Sequence, residues 1–198
     1  MKPDAALSVL TIGHSTHPLV RFIELLTSRD VNALADVRSQ PFSRFNPQYN
    51  RAALSRALQE AGIAYVFLGK ELGARSQDAA CYENGQVQFS RLSGTPLFLA
   101  GIDRILAGAT KFNLALMCAE KEPLECHRTL LISRALEKRG VSIAHILADG
   151  SVEPQARTMS RLLDLVGLPH EDMFKSRQEL VDIACQLRER KVAYVSDA

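Results

Sequence analysis

The densest run of reactive side chains in the sequence is Cys118-Ala-Glu-Lys-Glu-Pro-Leu-Glu-Cys126-His127-Arg128. It brings together two thiols, an imidazole, a guanidinium and several carboxylates. A thiol acts as a nucleophile near neutral pH when a helix N-terminus or nearby cations lower its pKa. Read as a helix from Pro123 to Arg139, the segment places Cys126 in the first turn, with Cys118 facing it from the end of a strand. Helical spacing puts Leu124, Arg128, Leu131 and Ala135 on the face that covers a sheet and leaves Cys126 roughly opposite, in line with Leu130 and Ser133. Cys118 is therefore the expected nucleophile. Arg128 is expected to point inward, where it needs Asp36, Glu120 or an anionic ligand as a partner. A buried Arg–Asp strut that only holds the loop fits the same residues. Cys118, Cys126, His127 and His14 are zinc-ligand types. However, there is no C-x-x-C pair and no H-E-x-x-H, and adjacent Cys126 and His127 would point apart on a helix. The expectation is no metal and no cofactor, with zinc as the minority reading.

The other candidates follow predicted strands: Gly13-His14-Ser15, Asp36 with Arg38, Gly69-Lys70-Glu71, and Asp149-Gly150. His14 or His127 could serve as general base, oriented by Asp36 or Glu120. The turn at Gly13 and Ser15 could present free N–H groups to an anion, with Arg38, Arg44, Lys70, Arg75 and Arg128 as further anion-binding candidates. Taken singly, each could equally be a cap or a solvated loop charge. Neither G-x-x-x-x-G-K-[ST] nor G-x-G-x-x-G occurs, so a Walker-type or standard dinucleotide site is unsupported. From Val37 to Gln59 there is no acidic residue, while Arg38, Arg44, Arg51 and Arg56 alternate with Phe42, Phe45 and Tyr49. Arginine forks and aromatic faces suit phosphates and bases, which makes the Arg38 to Arg56 segment a candidate nucleic-acid contact. The plainer reading anchors Phe42 and Phe45 in the core and leaves the arginines in solvent.

These residues need a scaffold. Leu7–Ile12, Val31–Val37, Ile63–Leu68, Asn113–Cys118 and Ser142–Leu147 read as five buried strands. Between them lie helices beginning near Pro18, from about Asn50 to Ala61 with Asn50 as cap, from Pro96 to Leu106 and from Pro123 to Arg139. Gly69 to Gly94 reads as a long binding loop or lid. Helices near Pro154–Val166 and Ser176–Arg190 complete the chain, with no further strand expected. Strands alternating with helices predict an α/β, Rossmann-like or flavodoxin-like three-layer sandwich with a mostly parallel five-stranded sheet and extra C-terminal helices. Residues 1–150 are expected to form the core domain, with 151–198 a helical extension packed on it. Ligands of such sheets bind beyond the carboxyl ends of the strands.

At 198 residues the chain is long enough for one self-sufficient core. A formal net charge of +2 gives no global field toward nucleic acid or an acidic membrane, so any electropositive site is local. No apolar run is long enough to span a bilayer. Four scattered cysteines fit a reducing cytoplasm, with Cys81 and Cys185 as buried apolar residues and a Cys118–Cys126 bridge left open.

Thr11-Ile-Gly-His-Ser15, Asp36-Val-Arg38 with Pro41 and Arg44, Asn46-Pro-Gln-Tyr-Asn50, Tyr65–Gly69, Leu72-Gly73 with Arg75, Cys118-Ala-Glu120 and Cys126-His-Arg128 occur in order between about residues 9 and 150. In these motifs the chain resembles the family known as domain of unknown function 488. The resemblance implies a bacterial-type cytosolic α/β protein whose motif residues His14, Ser15, Asp36, Arg38, Cys118, Glu120, Cys126, His127 and Arg128 gather at one end of the sheet. It implies no particular reaction. The expected function is an enzyme, a cysteine-dependent hydrolase or transferase, acting on a small anionic, phosphorylated or nucleotide-like substrate. The alternatives are a nucleotide or nucleic-acid binding module without catalysis, and a structural Cys/His metal site.

Overall fold

Every residue of Leu114–Cys118 (β6) and of Ala33–Asp36 (β2) is buried, as expected of strands covered on both faces. In the computed structural model, which describes residues 7–196, β6 lies at the centre of a six-stranded sheet ordered β3-β2-β6-β1-β7-β8. The flanking strands are β1 (Ser8–Gly13), β3 (Ala64–Phe67), β7 (Ser142–Ile146) and β8 (Val152–Pro154). The first five strands are parallel; β8 runs antiparallel to β7. The chain moves outward from β1 to β2 and β3, then returns to insert β6 between β1 and β2, with Gly13 opposite Cys118 and Asp36 opposite Met117. The ends of β1, β6 and β2 therefore meet at the point where strand order reverses, the usual crevice for ligands in open α/β sheets.

Two buried apolar clusters form the outer layers. Ile12, Leu34, Ala115 and Met117 pack with Phe22, Leu25 and Leu26 of α1 (Leu19–Thr27) and with Leu54 and Leu58 of α2 (Arg51–Glu60). On the other face Leu114, Leu116, Cys118 and Ala35 meet the remaining helices. These are α3 (Gly69–Leu72), α4 (Phe89–Leu92), α5 (Pro96–Ala109), α6 (Arg134–Glu137), α7 (Gln155–Val166) and α8 (Arg177–Val192). Alternate residues of β6 serve opposite layers, as the pleat requires.

The three-layer α/β sandwich is as expected, with three corrections. The sheet has six strands, because three-residue β8, which ends in Pro154, joins the edge where its missing N–H costs no ladder bond. Gly69–Gly94 is structured: besides α3 and α4 it holds a hairpin of β4 (Tyr82–Glu83) and β5 (Gln86–Val87). Asn84 (φ 50°) and Gly85 (φ 76°) form its two-residue turn, a strong hairpin signal legible in the sequence. Finally, Asn50 stands at the start of α2 without capping it. Its Oδ1 instead accepts the Ser43 N–H at 2.7 Å and ties down the arginine-rich loop. At the C-terminal end, α8 packs on α7, and Ser196 N–H donates to Gly85 O at 2.8 Å, pinning the final segment to the hairpin. No helix among the described residues is long and apolar enough to cross a membrane.

Candidate functional site

The turn after β6 does not continue into a regular helix. Pro123–Glu125 forms a single 3-10 turn, Cys126 is extended (φ −134°, ψ 138°), and Arg128–Ser133 is a π-helical segment leading into α6. Ser133 Oγ donates to Arg128 O at 2.7 Å inside that wide turn. The expected helix from Pro123 is thus corrected, and with it the argument that Cys126 and His127 must diverge. The extended residue lets both side chains turn toward the sheet.

Four donor atoms converge there: Cys118 Sγ, a Glu120 carboxylate oxygen, Cys126 Sγ and one His127 ring nitrogen, all within 4.8 Å of one another. His127 Nε2–H donates to the Val37 carbonyl at 3.1 Å, which leaves Nδ1 facing Cys118 Sγ at 3.7 Å and Cys126 Sγ at 3.9 Å. Cys126 Sγ lies 3.0 Å from Glu120 Oε2 and accepts the Arg128 backbone N–H at 3.4 Å. Burial holds the Cys118 thiol well above the usual thiol range, and the neighbouring Cys126 and Glu120 add to the effect. Burial acts the same way on Cys126, but the Cys118 thiol, the Arg128 guanidinium and His127 outweigh it and draw Cys126 well below that range. Glu120 is exposed as a residue, yet desolvation of its carboxylate against the thiols raises it, and burial's downward pull on His127 is overcome by Cys126. The two thiols are therefore pushed in opposite directions, Cys118 upward and Cys126 downward. The two thiols also differ in access, since Cys118 lines the open cleft and Cys126 does not.

Arg128 is fully buried and points inward as expected, but no carboxylate among the described residues pairs with it. Its Nη1 donates to Glu120 O at 2.7 Å and its Nη2 to Lys121 O at 3.4 Å, while Nε has no partner. It therefore braces the backbone that carries Glu120. Asp36, offered as a partner for Arg128, belongs to Arg38: Nε and Nη2 of Arg38 reach Oδ1 and Oδ2 at 2.9 and 2.7 Å, and Tyr65 Oη donates to Oδ2 at 2.8 Å. Arg38 Nη1 donates to His14 Nε2 at 3.2 Å, and His14 Nδ1–H donates to Ser15 O at 2.8 Å. His14 stacks on Tyr49, with centroids 4.1 Å apart, and burial lowers its pKa to about 4. It is neutral at pH 7 with both nitrogens engaged.

The expected anion cradle at Gly13–Ser15 is also corrected. His14 N–H and Ser15 N–H donate to Cys118 O and Ala119 O, both at 2.9 Å, and leave none for a ligand. Gly13 is there for close approach, since a Cβ would lie 1.9 Å from Glu120 O.

A cleft of about 290 Å³ opens over the thiol cluster. Cys118, Glu120 and His127 line it together with Arg38, Arg75 and Phe42, while His14 does not. Arg75 stacks its guanidinium 4.5 Å over Tyr194, a cleft residue with no counterpart among the sequence candidates because it follows the last helix and carries no motif. Gln40 and Phe89, which are not among the sequence candidates, also line the cleft. Lys70 and Arg44 are exposed and outside the cleft lining. Phe42 and Phe45 are 69% and 90% exposed, which overturns their reading as core anchors.

The family profile described as Domain of unknown function DUF488 matches residues 18–135. The chain belongs to the DUF488 family. The match takes in Asp36, Arg38, Cys118, Glu120, Cys126, His127 and Arg128; His14 and Ser15 precede it, and Tyr194 follows it. Comparison with curated proteins gave no match. For this DUF488 chain, the geometry of the site has to carry the functional argument.

Proposed function

We propose that this chain is an enzyme that binds a phosphorylated, base-bearing substrate of the nucleotide class in the cleft and uses the thiol–imidazole–carboxylate cluster at its floor. The observation that supports this most is the lining of the cleft: Cys118, His127 and Glu120 lie in one open concavity with the cations Arg38 and Arg75 and the aromatic rings of Phe42 and Tyr194. Arg75 suits a phosphate, because the residue is exposed and, among the described residues, no carboxylate is within its contacts. Phe42 is an exposed ring at the rim, suited to a base face. His127, fixed through Val37 O, can exchange a proton at Nδ1 with the two thiols.

Thermal shift against nucleoside mono- and diphosphates and short single-stranded oligonucleotides tests the reading. A rise in Tm that is lost in Arg75→Ala and reduced in Phe42→Ala supports it, since a ligand of the folded state raises Tm by mass action. No shift with any of these probes, or shifts indifferent to both substitutions, overturns it. The 90% exposure of Phe45 beside Arg44 favours a second reading, a strand-binding module without chemistry. In that case affinity falls steeply with salt and responds to Arg44→Ala while ignoring Cys118→Ser.

A further inference from the structure

We infer that Cys118, Cys126 and His127, joined by Glu120, form a zinc site. These four residues are the one group of three or more His, Cys, Asp or Glu with converging ligand atoms among the described residues. Two thiolates and an imidazole are the donors that favour zinc over calcium or magnesium, and a carboxylate completes a tetrahedral set. Bond lengths of about 2.3 Å for zinc–sulfur and 2.0–2.1 Å for zinc–nitrogen place adjacent donors of a tetrahedral site about 3.6 Å apart. His127 Nδ1 is 3.7 and 3.9 Å from the two sulfurs, whereas Cys126 Sγ and Glu120 Oε2, now 3.0 Å apart, would have to part by about half an ångström on binding the ion.

Three features outside the donor set point the same way. The Val37 carbonyl accepts from His127 Nε2–H, which fixes the tautomer that turns the Nδ1 lone pair toward both sulfurs; metal-binding histidines are habitually held like this. The Arg128 backbone N–H donates to Cys126 Sγ, an outer contact that favours a thiolate there. The Arg128 guanidinium is fully buried, bonds only to the Glu120 and Lys121 carbonyls and leaves Nε unpartnered. A zinc ion with two thiolates and one carboxylate carries one net negative charge, the counter-charge this cation lacks. A buried charge without such a partner is costly.

The set is asymmetric. Both cysteines are buried, whereas Glu120 is exposed and lines the cleft. Glu120 is therefore the ligand a water or substrate group would displace. This matches the division in catalytic zinc sites between three fixed protein ligands and one open position. The inference assigns a metal to the cluster that the nucleotide reading places at the cleft floor, and it does not depend on nucleotide binding.

Metal-free full-length protein titrated with cobalt(II) under reducing conditions tests the site. The expected result is one equivalent bound with thiolate charge-transfer and tetrahedral d–d bands, bleached by one equivalent of zinc. Cys118→Ser, Cys126→Ser and His127→Gln should each weaken zinc by more than about 100-fold, beyond the loss of an outer-shell partner. Glu120→Gln should keep the metal and alter the cobalt spectrum. Should those variants fail to fold, the wild-type chain still decides the matter: zinc must protect Cys118 and Cys126 from alkylation while Cys81 and Cys185 react as before, read by peptide mass spectrometry. Absence of thiolate bands, bands that persist in both serine variants, or alkylation unaffected by zinc overturns the site. Nucleotide-dependent thermal shifts of the metal-free protein report separately on the cleft, so failure of one reading is distinguishable from failure of the other.

Discussion

The guanidinium of Arg38 closes a two-pronged fork on the carboxylate of Asp36, two positions earlier at the end of β2, at 2.9 and 2.7 Å. Both side chains are nearly solvent-free, at 6% and 0% exposure. The fork positions the floor of the cleft, because Arg38 also bonds His14 and the Tyr49 carbonyl. Asp36→Ala leaves a buried cation unpaired and is expected to cost about 3–5 kcal/mol. Urea unfolding of the variant checks this; a loss under about 1 kcal/mol would show the pair to be solvated.

Acid should destabilise the fold before the carboxylates titrate. Burial depresses His14 and His145 to about 4, and His145 is held between Thr11 Oγ1 and Gln155 Oε1. An unfolded histidine titrates near 6.5, so between pH 6.5 and 4 the unfolded chain binds protons that the native state refuses. The stability held above pH 6.5 then falls with pH, by up to about 1.4 kcal/mol per unit for each histidine. Urea midpoints measured from pH 7 to 5 should show this slope, and His145→Asn should reduce it.

Gly13→Ala should disturb stability and site together. The added Cβ would meet Glu120 O at 1.9 Å and Arg128 Nη1 at 3.2 Å, both in the turn that carries the cluster. Overpacking of this kind costs about 1–3 kcal/mol. An unchanged Tm and unchanged alkylation rates at Cys118 would mean that the turn yields freely.

Phe42→Ala should separate binding from folding. The ring is 69% exposed, so Tm without ligand should hold, while nucleotide affinity falls by about 1–3 kcal/mol if a base stacks there. Isothermal titration of the two proteins provides the comparison, and equal affinities would remove Phe42 from the ligand site.

Periodicity and turn residues revealed the parallel sheet, because each strand is a short apolar run and each crossover helix has its own apolar face. β8 escaped notice because three residues ending in proline carry no strand period. The hairpin at Asn84-Gly85 was written in the turn residues but hidden inside a segment read as loop.

Residue types marked Cys118, Glu120, Cys126 and His127 as candidates at the strand ends, and helical spacing turned Arg128 inward, but the same spacing set Cys126 and His127 apart. What they could not decide was which side of the sheet each residue serves, since that depends on pleat and register. Asp36 and His14 end on the α1 and α2 side with Tyr65 and Tyr49, while Cys118 follows Leu114 and Leu116 to the opposite layer. The tertiary structure also broke the helix at Cys126, turning two neighbouring side chains into one convergent pair, and brought Tyr194 from the far end of the chain to the cleft. Chemistry resides in the local sequence. Convergence depends on the long-range pairing of strands, and no local run of residues encodes it.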